Sequence, residues 1–571
     1  MCGIHGFTWD NKEAINKMVK ISHSRGPDGN GTYTDNYISL GHNLLAITED
    51  AKLSSQPWHI SDDKILCFNG EIYNYKELRV ELEKLGHSFE TDGDTEVLAK
   101  GLLEWGDSCI DKLDGMFGIS LYNKSNKTLT LARDSSGTKP VYWASDKRGI
   151  SFSSSLKSIF SLGYDRKLDK FGYKLYDAFG YVPGPKTLVK DINKLYPGQC
   201  IKFDILTGKI IQDRRIDFTY EHDSVSSNFE DFRSAVSDSV RKCIMGKRQV
   251  GLYLSGGLDS NMILHELVKY ENKPKTFTTR FETKSSRDGA KSNDDADVAL
   301  ESSKIYNTEH TELLITTNSF LDVIDECALA LEEPRHNKNT PAYYLLNKEL
   351  ARQGIVVTLS GDGGDEVLTG YERHYDYINA NCNELCDYWP LFQHGVKKDK
   401  DILDYIKSWF PISNFTEDIL NNQLYLESLL FLPEDYLIRN DKLGMHFSME
   451  ARFPFTTNSF KKYALSIPSK LKYNENYMKA LARNAYNELL PSSVINKRKS
   501  GWSVSKHLLI NERVVNEYIK PTLSEDYYKD INEVYEIDGK YRNFPVDGRY
   551  KTSYVKVMNF KTWAKNFKIT I

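Results

Sequence analysis

The sequence predicts a two-domain α/β protein, and three observations predict it. A chain of 571 residues is too long for one ordinary globular domain. Residues 1–160 alternate short strand-like runs with helical patterns, as a layered fold rich in antiparallel strands does. From residue 228 onward, short and almost wholly apolar strands alternate with helices, which is the signature of a buried parallel sheet.

In the first region, β-branched and aromatic runs at 3–8, 37–44, 65–68, 117–121, 128–132 and 140–144 read as strands. Helical spacing appears at 75–84 and 94–105. The Pro- and Gly-rich stretch 181–186 and the turn at 196–198 read as a linker region. Domains are therefore expected at 1–205 and 206–571. Next, Phe229, Phe232, Val236, Val240 and Ile244 mark one face of a helix. A strand at 250–254 ends in a Gly-rich turn, a helix at 261–270 follows, and then a strand at 275–281. The strand at 354–359 again runs into a Gly-rich turn. In parallel sheets, ligands bind at the carboxyl ends of the strands, where both turns fall. Beyond about residue 400 the chain reads as helical, and Val557, Phe560, Trp563, Ala564 and Phe567 predict a closing helix packed on the core.

Hydrophobic content of 40% with 27% charged residues excludes a disordered or collagen-like chain. No stretch reaches the ~18–20 apolar residues of a membrane span. The amino terminus lacks the basic-then-apolar order of a signal peptide. The 8 cysteines are scattered without a CxxC pair, which points to free thiols in a reducing cytoplasm rather than disulfides or zinc. A net charge of −4 argues against a nucleic-acid partner. There is no internal repeat.

Three features carry chemistry. The first is Cys2. Removal of Met1 would leave a thiol and a free α-amine on one residue, and an amine of pKa about 7.7–8.0 can serve as the base for its own nucleophile. A buried small hydrophobe is the alternative for a lone cysteine. The second is Leu254-Ser-Gly-Gly-Leu-Asp-Ser260, between a buried strand and a helix. Its glycines let backbone N–H groups approach phosphate oxygens at a helix amino terminus, and Ser255 and Ser260 add hydroxyl donors. It has no GK[ST] and so is not a Walker A loop. The third is Ser360-Gly-Asp-Gly-Gly-Asp-Glu-Val-Leu-Thr-Gly-Tyr371, whose paired acids suit a hard cation beside phosphates.

Cys2-Gly-Ile-His-Gly6, Arg25-Gly-Pro-Asp28, Asn69-Gly-Glu-Ile-Tyr-Asn74 and Gly93-Asp-Thr-Glu96 together resemble the class II (N-terminal nucleophile) glutamine amidotransferase domain. That resemblance implies an αββα layer fold in which Cys2 attacks the glutamine side-chain amide. It implies an oxyanion hole from Asn69 and Gly70, a glutamine site of Ile47, Asn69, Gly70, Glu71 and Asp94, and an Asp94 carboxylate on the α-ammonium. One position departs from the pattern. Where the family carries an arginine for the glutamine α-carboxylate, this chain has Leu44, which cannot replace a bidentate clamp.

The loop at 254–260 resembles that of the PP-loop ATP pyrophosphatases, and the element at 360–371 that of asparagine synthetases. The stretch from Asp441 to Phe455 is similar to the same family's, with Lys442 for arginine and Gly444 for serine. So are Lys479-Ala-Leu-Ala-Arg483 and Lys497-Arg-Lys-Ser-Gly501, the latter followed by Trp502 for phenylalanine. Over nearly its whole length the chain resembles the glutamine-hydrolysing asparagine synthetase family. The resemblance implies a carboxy-terminal PP-loop (adenine nucleotide α-hydrolase-like) domain with extra helices. It implies ATP held by Leu254, Ser255, Gly256, Gly257, Asp259, Ser260, Thr279, Ser360 and Gly361. Mg2+ would sit on Asp259 and Asp365, with Asp362 and Lys479 at the chemistry. Aspartate, ATP and glutamine would give a β-aspartyl adenylate, which is then attacked by ammonia carried inside the protein. A homodimer is compatible with it.

Other readings stay open on the sequence. Leu44, and Ser155 where the family has glutamate, mark a divergent member. Backbone groups or another cation could hold the glutamine carboxylate in place of the arginine; alternatively the protein could amidate another carboxylate, or depend on free ammonia because its glutaminase is impaired. A tRNA-thiolating PP-loop protein would want a basic face or paired cysteines, and Cys382 and Cys386 form only CxxxC. A non-catalytic binding protein would not need the intact acids and Lys479.

Overall fold

A computed structural model describes residues 2–216, 227–283, 293–379, 399–410, 416–498, 504, 508 and 551–570. Cys382, Cys386, Gly501 and Trp502 lie outside the described residues.

Two antiparallel six-stranded sheets form the amino-terminal half. One runs, edge to edge, Ile192–Lys194, Tyr142–Asp146, Gly149–Ser153, Gly3–Phe7, Ser39–Leu44, Gly29–Thr34. The other runs Ile210–Arg215, Gln199–Asp204, Thr128–Arg133, Gly115–Asn123, Lys64–Ile72, Trp58–His59. Ile4, Leu40, Ile65, Leu129 and Val141 fill the space between the sheets. Helix Lys12–Ile21 covers one outer face, where Ile15 and Met18 meet Phe7. Helices Tyr75–Lys84 and Asp94–Glu104 cover the other, where Leu78, Leu82, Val97 and Leu102 meet Leu66 and Phe68. The order is αββα. Side chains alternate across a strand, so Ile65 and Cys67 face the inter-sheet core while Leu66 and Phe68 face the helices. Burial on both faces explains why this strand is apolar without alternation and extends past the expected 65–68.

Gln199–Asp204 and Ile210–Arg215 pair as one antiparallel hairpin at the edge of the second sheet, so 205 falls in its turn. The stretch at 181–186 is not a free linker. Tyr181, Val182 and Tyr196 are buried in a cluster shared with Leu426, Leu430 and Phe431 and with Phe560, Trp563 and Phe567 of the last helix, Lys551–Phe567. Proline and glycine there shape a packed crossing between the two halves.

The carboxy-terminal half is built on a five-stranded parallel sheet: Glu309–Ile315, Lys275–Phe281, Val250–Tyr253, Val357–Leu359, Glu450–Arg452. Val250–Tyr253 is central, and its loop leads into helix Leu258–Leu267, which starts at Leu258 rather than 261. The helix thereby begins directly after the glycines. No helix among the described residues is long and apolar enough to cross a membrane.

Candidate active sites

Cys2 immediately precedes the inner strand Gly3–Phe7 and is 6% exposed. Its backbone N–H donates to Asn69 Oδ1 at 3.0 Å, and Asn69 Nδ2 donates to Ser154 Oγ at 3.3 Å. Cys2 and the end of strand Lys64–Ile72 therefore meet. Gly70 is required by close approach: a Cβ there would stand 1.9 Å from the Met116 carbonyl oxygen. Burial pushes the Cys2 thiol up to about 11, opposed by the chain's amino terminus and the Leu45 amide, reinforced by Glu450 and Glu71. The thiol is therefore neutral at neutral pH and needs a base.

Asp94 opens helix Asp94–Glu104 and accepts from Ile72 N–H at 2.9 Å. Burial, with Glu450, raises its carboxyl to about 6, against the Ile72 N–H and Arg452. Glu71 is buried, and burial with the Glu450 and Asp94 charges raises it well above the usual carboxylate range, against Arg452. Arg452, on the edge strand of the other half, stands 3.3 Å from Glu71 and 2.6 Å from Glu450. Ile47 is buried, and its carbonyl accepts from Lys247 N–H at 2.9 Å.

The second site is a cavity at the carboxyl edge of the parallel sheet, between strands Val250–Tyr253 and Val357–Leu359. Every predicted ATP residue lines it: Leu254, Ser255, Gly256, Gly257, Asp259, Ser260, Thr279, Ser360 and Gly361. Asp362, Asp365 and Lys479 do so as well. Ser255 and Ser260 hydroxyls lie 3.1 Å apart, and Gly257 N–H donates to Ser255 Oγ at 3.1 Å. This presents the loop at the amino terminus of the helix that Gly257 caps. The two glycine-rich turns press together: a Cβ on Gly364 would lie 2.7 Å from the Asp259 carboxyl.

Lys479 is not a helical residue. It stands before helix Ala480–Tyr486 with a left-handed φ of 59°, which turns its side chain into the cavity. Its ammonium is 2.5 Å from both the Asp259 and the Asp365 carboxylates. Two acids converging on one cation fit a magnesium ion, which takes one or two carboxylates plus phosphate oxygens and water. Asp362 accepts from Ser360 Oγ at 2.7 Å and Asn440 Nδ2 at 2.6 Å. The sequence did not single out Arg439. Its guanidinium, 1% exposed, lies over the Tyr343 and Tyr436 rings at 4.2 and 4.9 Å. It lines the same cavity; its Nε donates to Asn440 Oδ1 at 3.2 Å, and its Nη2 has no hydrogen-bond partner among the described residues. Only an orphaned buried cation beside the phosphate loop marks it, and that is invisible in one dimension.

A model of asparagine synthase matches residues 231–556, more than half of the chain, and one of a glutamine amidotransferase domain matches residues 1–212. The chain belongs to the asparagine synthase family. It is 29% identical to asparagine synthetase [glutamine-hydrolyzing] 1 of Bacillus subtilis over 92% of this chain and 90% of that one. With asparagine synthetase B [glutamine-hydrolyzing] of Escherichia coli the identity is 26%, over 93% and 91%. Among solved structures, a glutamine phosphoribosylpyrophosphate amidotransferase from B. subtilis aligns over 44% of this chain and 61% of that one, at 15% identity and TM-score 0.28.

In this asparagine synthase family member, charged groups cross between the halves at Ser155 and at Arg25. At Ser155, Glu332 supplies a carboxylate: Ser155 Oγ donates to it at 2.6 Å and Leu156 N–H at 2.7 Å, and Lys442 pairs with it. Burial would raise the Glu332 carboxyl, but Lys442, Lys157 and Ser155 together hold it at about 2. Arg25 joins the halves too, donating to the Cys2 carbonyl at 3.1 Å and to Asp441 at 3.0 Å.

Proposed function

We propose that the protein is a carbon–nitrogen ligase that amidates aspartate with nitrogen from glutamine, using ATP. Its amino-terminal unit extends through the hairpin that ends at Arg215. After loss of Met1, the Cys2 amine takes the thiol proton and the sulfur attacks the glutamine side-chain amide. Asn69 and the Gly70 N–H receive the developing oxyanion, and Asp94 holds the α-ammonium. Ammonia leaves and the thioester is hydrolysed to glutamate. In the second cavity an aspartate β-carboxylate oxygen attacks the α-phosphorus and pyrophosphate departs. Backbone amides of the loop at 254–260 hold the phosphates, and Lys479 stabilises the charge that develops. Asp259 and Asp365 would hold a magnesium ion, which would supply neutralisation of the phosphate oxygens. Ammonia then attacks the acyl carbon and AMP leaves. Glu366, buried in the wall of the same cavity, is placed to take the proton lost by the attacking nitrogen. Passage inside the protein keeps ammonia unprotonated. A cytoplasmic enzyme fits these substrates.

The single observation that carries this reading is the cavity where Lys479, Asp259 and Asp365 converge beside the phosphate loop, with Arg439 buried in the same wall. A buried guanidinium there, held through Nε by Asn440 Oδ1 and with Nη2 open, supports an acceptor with a second carboxylate, as aspartate has, over a monocarboxylate. ATP–pyrophosphate exchange over a panel of acids tests it. Exchange with aspartate that collapses in Arg439→Gln is expected, and no exchange with aspartate would overturn the assignment. Product formation with glutamine and with ammonium, in the wild type and in Cys2→Ala, tests the other half. Equal glutamine-driven rates would remove Cys2 from the mechanism.

A further inference from the structure

We infer that Arg248, a residue of the carboxy-terminal half, replaces the missing arginine of the glutamine site and binds the α-carboxylate of glutamine. The inference rests on the reading of Cys2 as a glutaminase nucleophile. Leu44 ends strand Ser39–Leu44, and the next residues form the loop between Cys2 and Asp94. Leu45 N–H points at the Cys2 sulfur, and Glu49 accepts from Asp92 N–H at 3.0 Å, beside Gly93. A glutamine spanning Cys2 and Asp94 therefore lies along residues 45–49. Its carboxylate needs a cation there, and Leu44 has none to offer.

The segment 246–248 lies against that loop. Gly246 holds φ +121°, and a Cβ there would be 2.8 Å from the Ile47 side chain. Lys247 N–H donates to Ile47 O at 2.9 Å. Arg248 Nε donates to Ala46 O at 2.9 Å, and Nη2 to Asp28 Oδ2 at 2.9 Å. Asp28 in turn accepts from Ala46 N–H at 2.9 Å. The guanidinium is thus oriented by two contacts, and its Nη1 edge makes no hydrogen bond among the described residues. Ile47 N–H on the same loop makes none either. A guanidinium edge and a backbone N–H on one loop form a carboxylate site. Arg25 pairs with Asp441 and Cys2 O, Arg452 with Glu450 and Glu71, and Lys247 with Glu49, while Arg248 gives Asp28 its Nη2 and keeps Nη1 open among the described residues. The Ser155–Glu332 contact shows the same device, a group lost from one half and supplied by the other.

The test is glutamine kinetics of the full chain, with synthesis on ammonium chloride as the reference for each variant. Arg248→Gln is expected to raise the KM for glutamine about 10- to 100-fold, the loss of one charged hydrogen bond to substrate, while changing kcat far less. Arg248→Lys, which keeps the charge but not the fork, should fall between. Adding Leu44→Arg to Arg248→Gln should restore the KM, which a variant that merely misfolds would not do. Glutamine use that is abolished by Cys2→Ala but unchanged by Arg248→Gln overturns the clamp alone. Glutamine use that survives Cys2→Ala overturns the glutaminase reading, and the clamp with it.

Discussion

Glu332→Gln tests the buried ion pair with Lys442 on which Ser155 and Leu156 of the amino-terminal half dock. Glu332 is 3% exposed and Lys442 3%, so the substitution leaves a buried ammonium without its counter-ion. Breaking a buried pair from one side costs about 3–5 kcal/mol, because the remaining charge stays desolvated. The carboxyl titration gives a similar size. The gap between 4.5 and about 2 corresponds to about 3 kcal/mol. Its sign follows from a depressed carboxylate: the stabilisation is complete above pH 4.5 and is lost as pH falls towards 2. Urea unfolding at pH 7 of Glu332→Gln, Lys442→Met and the double variant measures the coupling. Each single change should cost about 3 kcal/mol and the pair together clearly less than the sum, since two neutral groups need no partner. Costs that add within about 0.5 kcal/mol would refute the pairing.

Three further outcomes are expected. Gly70→Ala should abolish glutamine-driven synthesis and lower stability by about 1–3 kcal/mol in thermal melts, because the Cβ would meet the Met116 carbonyl at 1.9 Å. With Asp94 at about 6, kcat/KM for glutamine should fall about tenfold per pH unit below 6, as the carboxylate that holds the ammonium is protonated. Asp94→Asn should flatten that limb of the pH profile. Lys479→Met should slow ATP–pyrophosphate exchange about 100- to 1000-fold in a radiolabel exchange assay, with the substituted chain still folded by circular dichroism.

Much of the candidate chemistry was legible because its residues are contiguous. The runs at 254–260 and 360–371 each sit on one turn, and a turn is a local object. So are Asn69, Gly70 and Glu71 at the end of one strand. The hairpin that straddles 205 was not read as such, because Ile210–Arg215 is exposed along most of its length and its two isoleucines form no alternating pattern. The crossing at 181–186 was misread because proline and glycine mark a change of direction whether or not the segment is packed.

By itself, the sequence determined that a cysteine sits at position 2, that two glycine-rich turns follow buried strands, and that Leu44 and Ser155 depart from the family pattern. Only the tertiary structure decided what stands opposite those departures. Glu332 reaches Ser155 across 177 residues, and Arg248 reaches Ala46 across 202. Arg439 similarly becomes an orphaned cation only when Tyr343 and Tyr436 close over it. The physical reason is that desolvated charge interactions depend on distance and burial, which the packing of two halves creates and which no local pattern of residues encodes.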